Sequence, residues 1–333
     1  MELQDHLYEE YDEFLMPKSF LQFKIVKMVS KIEIPSDSCH NAPFTQNEYH
    51  INSSVYSIRS FNTNRHYSIS LLGNVLLFNT QGFAKLYNDS SYHLCLMDIH
   101  PSDLLIACSS GKGAFRIYSS KTLSYYLDSN YHKRPLTALR FAPFSKKILS
   151  TSLDGALIVT DLVQNQKSFQ FAKDCLTTVS ISPSESCVAA SNNSGSIFFF
   201  DDRDECQILE IKTNQEWINN IVFHQDCLRF ASNSSKDSVK IYDIRNPSEH
   251  ICSISSQGSN TRFIGFINEH LLKVDKKGIL YTYGLDKFEC LSKKKISEYD
   301  ISSCDYNNFE NSLQFVQNSS IVSSHILSKN VGL

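Results

Sequence analysis

Side chains that could perform chemistry are concentrated in one stretch near the middle of the chain. His132, Ser152 and Asp154 bring a base, a hydroxyl and a carboxylate close together in the sequence. In hydrolases, such groups act as general base, nucleophile and orienting acid. A histidine, a hydroxyl and a carboxylate can also form a buried hydrogen-bond network that holds strands together without any catalytic role. We interpret them as structural, because no GxSxG nucleophile motif accompanies them.

Metal-binding and cofactor-binding patterns are absent from the sequence. The two closest of the ten cysteines are twelve residues apart, so no CxxC pair exists, and the eleven histidines lack metal-ligand spacing. No P-loop, GxGxxG or HExxH motif is present. We therefore predict no catalytic residues, no metal and no cofactor, and we expect a protein that is not an enzyme.

Composition and charge narrow the class of partner. The chain has 333 residues, with 32 basic and 35 acidic side chains and a net charge of −3. This balance argues against binding to nucleic acid through phosphate neutralisation. The sequence contains neither a secretory signal pattern nor a run of 18 apolar residues, so we expect no membrane contact and an intracellular location with reduced cysteines.

A repeat with a period of 40 to 42 residues organises the chain. In five of six copies an aromatic residue precedes the repeated position, which closes a short apolar run. The repeated positions are Asn79, Ser119, Asp161, Asp201, Asp243 and Gly284. A period of this length is typical of a β-propeller, in which each repeat forms one blade.

A second ladder of apolar positions predicts the innermost strand of each blade. Its members are Phe61, Ile99, Phe141, Ile181, Phe223, Phe266 and Tyr306. We therefore predict an all-β, seven-bladed propeller over residues 19–333, with the missing third strand of the last blade near Ser324. Asp98 and Asp305 are the only acids within the predicted inner strands. Two carboxylates from non-adjacent blades make a poor metal site, which argues against a propeller hydrolase.

The N-terminal region holds two further predictions. An apolar strand pattern within residues 19–32 is expected to pair with the C-terminal blade and close the ring, and polar residues 34–53 are expected to form a loop. Residues 1–18 form an acidic extension in which Leu3, Leu7 and Tyr11 sit at helical spacing. This extension is either a docking helix or a solvating tail.

The repeat with its aromatic-acidic endings resembles the WD40 family. Residues 85–246 further resemble the small WD-repeat subunit shared by COMPASS histone methyltransferases and by the phosphatase module of mRNA 3′-end processing and transcription termination. The stretches that carry this resemblance are SFLQFKIVKMVSK (19–31), KLYNDSSYHLCLMDIHPSDLLIACSS (85–110), the short blade at 161–204 and QEWINNIVF (215–223). The resemblance implies a nuclear, non-catalytic scaffold, monomeric within a hetero-complex, whose partners are a methyltransferase or phosphatase scaffold subunit.

Candidate partner contacts follow from this resemblance and from the loops. Trp217, the only tryptophan, precedes an inner strand and is either an interaction hot spot or a packed rim residue. The loop residues Tyr131, His132, Lys133 and Arg134 are further candidates. An alternative function is that of a cullin-4 ubiquitin ligase substrate receptor, which docks through an aromatic-Asp-x-Arg box. Arg245 fits that box and Arg203 fits it loosely.

Overall fold

The structure is a computed structural model that describes residues 26–28, 48–50 and 55–327. The last range has gaps at 62–65, 72–73, 80–83, 89–93, 111, 123, 165, 173, 202–205, 235–237, 256–258, 309 and 319–320. The predicted acidic extension, with Leu3, Leu7 and Tyr11, lies outside the described residues. So does Arg203.

All elements in the described ranges are β-strands. Two short strands come first, β1 (Val26–Met28) and β2 (Glu48–His50). Blade 1 contains β3 (Val55–Ser60), β4 (His66–Leu71), β5 (Asn74–Asn79) and β6 (Ala84–Asn88). Blade 2 contains β7 (Leu94–Ile99), β8 (Leu105–Ser110), β9 (Phe115–Ser119) and β10 (Tyr125–Ser129). Blade 3 contains β11 (Leu136–Phe141), β12 (Lys147–Ser152), β13 (Ala156–Asp161) and β14 (Gln166–Ala172).

The later blades repeat this order. Blade 4 contains β15 (Leu176–Ile181), β16 (Val188–Asn192), β17 (Ser196–Asp201) and β18 (Cys206–Lys212). Blade 5 contains β19 (Ile218–Phe223), β20 (Arg229–Ser234), β21 (Val239–Asp243) and β22 (Cys252–Ile254). Blade 6 contains β23 (Thr261–Ile267), β24 (His270–Asp275), β25 (Ile279–Gly284) and β26 (Cys290–Lys295). The remaining strands are β27 (Ile301–Asn307), β28 (Ser312–Gln317) and β29 (Ile321–Ile326).

The sequence repeat corresponds to the strand order. Each of the six repeated positions is the last residue of the third strand of a blade, as Asp161 is in β13 and Asp201 is in β17. The first strands of the sheets, from β3 to β27, lie side by side around a central channel, and β27 contacts both β23 and β3. The chain is therefore an all-β propeller.

The number of regular blades differs from the prediction. In the described ranges the structure has six four-stranded blades rather than seven, and a five-stranded C-terminal sheet with the order β1-β2-β29-β28-β27. Of the predicted closing segment 19–32, the structure describes residues 26–28, which lie in the C-terminal sheet as β1. This strand joins the sheet through β2 and not directly, because β1 pairs with β2 and β2 pairs with β29. Chain connectivity explains this pairing. Strand β2, from the predicted loop, ends shortly before β3 and so must lie near the junction with blade 1.

Packing between blades explains the continuous apolar runs of the third strands. In β17, Phe198 and Phe200 pack toward blade 3, whereas Phe199 packs on Phe223 and Phe230 of blade 5. A strand that is buried on both faces shows no alternation of apolar and polar residues. The fourth strands β18 and β26 are largely exposed, as a blade's outer edge requires.

The acid sensitivity of the fold should depend on His325 in β29. Burial, with a smaller contribution from Lys294, lowers the pKa of His325 to about 4 from its ordinary value of 6.5. The folded state therefore holds the imidazole neutral, whereas the unfolded chain protonates it below pH 6.5. Stability from this residue is complete above pH 6.5 and is lost as the pH falls toward 4, by up to about 3 kcal/mol.

Urea unfolding at several pH values between 7.5 and 4.5 measures this effect. The His325→Gln variant should lose less stability than the wild type over that range, whereas a His250→Gln control, at an exposed position, should behave as wild type. Equal pH slopes for wild type and His325→Gln would show that another group causes the acid sensitivity.

Candidate functional site

We call the end of the propeller at which the inner strands begin the entry face. It carries the loops that precede β11, β19, β23 and β27, together with the hairpins between the second and third strands. The opposite end is the exit face. Because all inner strands run in the same direction, equivalent residues of different blades lie at the same face.

His132 lies in the entry-face loop of blade 3, where its side chain is fully buried. Its Nε2 lies 2.8 Å from Ser150 Oγ, and its Nδ1 lies 3.3 Å from each carboxylate oxygen of Asp154. The predicted member Ser152 is not part of this contact, because its hydroxyl donates to the carbonyl oxygen of Arg134 at 2.9 Å. The prediction of Ser152 as the histidine's partner is therefore wrong. Ser150, two residues earlier on the same face of β12, takes that place.

Asp154 connects the network to the loop backbone. Burial alone would raise the pKa of Asp154, but the N–H groups of Ala156 (2.9 Å) and Lys133 (2.8 Å), together with His132, lower it below its usual value. The carboxylate thus connects the loop before β11, through Lys133, with the hairpin between β12 and β13, through Ala156. With the histidine and Ser150 both buried, no hydroxyl is presented to a substrate, and the group acts as a structural brace.

The remaining candidates of this loop surround the brace. Tyr131 is half-buried, whereas Lys133 and Arg134 are exposed on the entry face. The loop therefore offers two cations on a backbone fixed by Asp154.

Gln215 in blade 5 takes the place of His132, a substitution that sequence reasoning missed. Ser232 is the register equivalent of Ser150, and its Oγ donates to Gln215 Oε1 at 2.7 Å. Gln215 Nε2 in turn donates to the carbonyl oxygen of Ser238 at 2.5 Å. The signal in the sequence was the interval of 82 residues between the two serines.

Trp217 lies on the entry face, two residues after Gln215, and is 44% exposed. Its backbone is in the left-handed region with φ of 49°, which is unusual for a bulky residue. The backbone N–H of Trp217 donates to the carbonyl oxygen of Asn193 in the blade 4 hairpin at 3.2 Å. On the preceding residue, the carbonyl oxygen of Glu216 accepts a hydrogen bond from Ser234 Oγ. The structure therefore presents an exposed Trp217 side chain on a loop whose backbone is fixed by hydrogen bonds to Asn193 and Ser234.

Arg245 lies on the exit face after β21. Its Nε and Nη2 donate to the two carboxylate oxygens of Asp243 at 2.9 and 2.6 Å, while two thirds of the side chain stays exposed. The hydrogen bonds from Arg245 lower the pKa of Asp243. This pairing braces the turn after β21, and it leaves the exposed edge of the guanidinium accessible.

Four charged residues alternate in sign around the central channel. Asp98 of β7 lies between Arg59 of β3 and Arg140 of β11, at 3.6 and 3.7 Å. Its Oδ2 also accepts the N–H of Phe141 at 2.8 Å. In the same way, Asp305 of β27 accepts the N–H of Ser60 in β3 at 2.7 Å. These carboxylates connect neighbouring inner strands.

Burial dominates the electrostatics of Asp305. It raises the pKa of this carboxyl, and the opposing influences of Arg59 and the Ser60 N–H only partly offset it. Within the described ranges, no three His, Cys, Asp or Glu side chains are grouped to hold a metal ion, and no helix has the length and apolarity to cross a membrane.

Comparison with known proteins finds a relative among WD-repeat proteins. The chain is similar to WD repeat-containing protein 55 of Arabidopsis thaliana, with 22% identity over 155 residues. That match covers 45% of this chain and 44% of the relative, so less than half of each protein is aligned. No family model matches the chain. Together with the propeller architecture, this similarity supports a WD40 propeller.

Proposed function

We propose that this WD40 propeller is a non-catalytic scaffold subunit that binds protein partners through its entry face. The observation that carries the proposal is Trp217, an exposed indole on a loop fixed by hydrogen bonds. Tryptophan is enriched among the residues that dominate binding energy at protein interfaces. A fixed loop also reduces the entropy lost on association.

The complex we propose is nuclear. The resemblance of residues 85–246 to the small WD-repeat subunit described above supports a histone H3 methyltransferase assembly or a transcription-termination phosphatase module. The relative found by comparison is itself a WD-repeat protein, and such propellers generally act through protein–protein contacts.

The C-terminal sheet completes the ring in this proposal, as a seventh blade. Strand β27 lies against β3, where Ser303 Oγ accepts the N–H of Ile58 at 3.3 Å and Asp305 accepts that of Ser60. The short strands β1 and β2 then cover the outer edge of β29, which would otherwise expose unpaired backbone groups. A closed ring gives the entry face the rigidity that a scaffold needs.

Affinity purification with mass spectrometry tests the proposal. The tagged chain should recover methyltransferase or phosphatase scaffold subunits, and Trp217→Ala should reduce that recovery about tenfold. The matched control is Phe144→Ala, which removes an aromatic that is 81% exposed on the exit face. It should leave recovery unchanged.

Two results would contradict the proposal. Recovery of only cytoplasmic trafficking or translation factors would exclude the nuclear complexes. Equal recovery by wild type and Trp217→Ala would exclude the entry-face site. A cullin-4 adaptor that is recovered with wild type and lost with Arg245→Ala would establish the ligase alternative instead.

A further inference from the structure

A β-bulge recurs near the start of every inner strand. In blades 3 to 6 and in the C-terminal sheet, the pairing register shifts around the second residue of the strand. Bulges redirect a side chain and are frequent beside binding sites. The register also shifts in β3 and β7. In the other five inner strands, the side chains at this position are those of Thr137, Thr177, Asn219, Arg262 and Ser302.

Three of these five side chains are bound to their own blade. Thr137 Oγ1 donates to Thr151 Oγ1 at 3.0 Å, and Thr177 Oγ1 lies 2.8 Å from Ser191 Oγ. Ser302 Oγ donates to the carbonyl oxygen of Val316 at 3.3 Å. Their hydrogen-bonding capacity is used to hold the first strand to the second.

Asn219 and Arg262 differ from the other three. Both are exposed, both line the channel, and neither side chain has a hydrogen bond or ion pair to any described residue. They occupy equivalent positions in the neighbouring blades 5 and 6. Two polar side chains with unused donors therefore face the same part of the channel mouth.

Two buried polar atoms lie unpartnered beside them. Asn233 Oδ1 and Thr261 Oγ1 form no hydrogen bond with described residues, although the two residues are only 2% and 3% exposed. Asn233 Nδ2 donates to the carbonyl oxygen of Thr261 at 3.5 Å, and both residues line the channel. A buried polar atom without a partner has lost the hydrogen bonds that water gives it in the unfolded chain, which destabilises the folded state. Such atoms favour a ligand that supplies the missing hydrogen bonds.

We propose that this part of the entry face binds an acidic side chain carried by an extended peptide segment. The inference rests on the scaffold function proposed above and specifies its ligand. The Arg262 guanidinium pairs with the carboxylate in a fork geometry, and the Thr261 hydroxyl donates a further hydrogen bond to it. The amides of Asn219 and Asn233 bind the peptide backbone, and Trp217 packs on a neighbouring apolar side chain.

The surrounding charges favour a carboxylate over other anions. Asp98 and Asp305 are held by the arginines and backbone of other inner strands, and Asp275 accepts the N–H of Ile279 at 2.8 Å. Among the four side chains Asn219, Asn233, Thr261 and Arg262, the guanidinium of Arg262 is the charged group, beside two amides and a hydroxyl. This set matches a single negative charge, whereas a phosphate dianion is usually met by several cations.

A randomised array of capped octapeptides, probed with the labelled full-length chain, tests the ligand class. The array should show enrichment of Glu or Asp at one position, and Arg262→Gln should abolish that enrichment. Lys146→Gln, which removes one exposed lysine on the exit face, is the charge-matched control and should leave the profile unchanged.

Fluorescence of Trp217 then measures affinity, because it is the only tryptophan. The best peptide should change the emission saturably, and its Glu→Gln twin should bind about tenfold more weakly. An array without acidic enrichment, or an unchanged Arg262→Gln profile, would overturn the inference. A phosphoserine twin that binds about tenfold more tightly than the glutamate peptide would also overturn it.

The two proposals fail separately. If Trp217→Ala loses its partners while Arg262→Gln keeps them all, the scaffold function stands and the carboxylate site is wrong. If Trp217→Ala keeps all partners, the entry face is not the binding surface and both proposals fall.

Discussion

Replacing Asp98 with alanine is expected to lower the free energy of unfolding by about 2–4 kcal/mol. The carboxylate receives the N–H of Phe141 and lies between the guanidinium groups of Arg59 and Arg140. Its removal leaves a partly buried donor without a partner and places two cations next to each other. Both effects weaken the contact between the inner strands of blades 1, 2 and 3.

Chemical denaturation of wild type and variant measures this loss. Asp300→Ala is the matched control, because Asp300 pairs with Lys276 at 3.1 Å in an exposed ion pair. Such a pair contributes only about 0–1 kcal/mol. Asp98→Asn should lie between the two variants, since the amide oxygen still accepts the Phe141 N–H. Equal unfolding midpoints for Asp98→Ala and Asp300→Ala would show that the channel charges do not stabilise the ring.

Replacing Gly195 with alanine is expected to destabilise the fold by about 3 kcal/mol or more. Gly195 turns the hairpin of blade 4 with φ of 86°, and a Cβ at this position would overlap the carbonyl oxygen of Gln215. The carbonyl of Gly195 also accepts the Thr213 N–H at 3.0 Å and the Thr213 hydroxyl at 2.8 Å. The alanine would therefore displace the loop that carries Trp217.

Gly284→Ala provides the comparison for this variant. Gly284 lies in β25 without a positive φ, and an added Cβ meets Leu291 Cδ1 at 3.5 Å, an ordinary contact. Its stability should stay equal to wild type or rise by about 0.5–1 kcal/mol. Thermal unfolding and Trp217 emission should thus change in Gly195→Ala only. If Gly195→Ala is destabilised but its emission maximum is unchanged, the hairpin of blade 4 does not control the position of the loop that carries Trp217.

These predictions connect stability with binding. The brace of His132, its counterpart at Gln215 and the channel carboxylates all hold loops or inner strands in place. Asn219 and Arg262 line the channel near its entry-face end without hydrogen bonds to described residues, and Trp217 is exposed on the same face. In the function proposed here, the groups that support the fold are therefore different from the groups that bind a partner.

The sequence alone determined the strand order of the propeller. Asp161 and Asp201 end third strands, and Phe141 and Phe223 end inner strands, because a blade repeats the same pattern of apolar runs and turns at a constant interval. The period is local information, since each repeat needs the same few residues to form the same hairpins. It also indicated that Trp217 precedes an inner strand.

Only the tertiary structure decided which residues meet. Ser150 and not Ser152 contacts His132, because the hydroxyl of Ser152 is taken by the carbonyl of Arg134. The strand that pairs with β29 is β2, and β1 (residues 26–28) pairs with β2, because the position of chain segments in space selects an edge strand and strand pattern alone does not specify a partner. The side chains of Asn219 and Arg262 are candidates for ligand contacts because, at bulge positions of blades 5 and 6, they make no hydrogen bonds to described residues. Pairwise contacts of this kind depend on distances between blades, which a one-dimensional pattern does not contain.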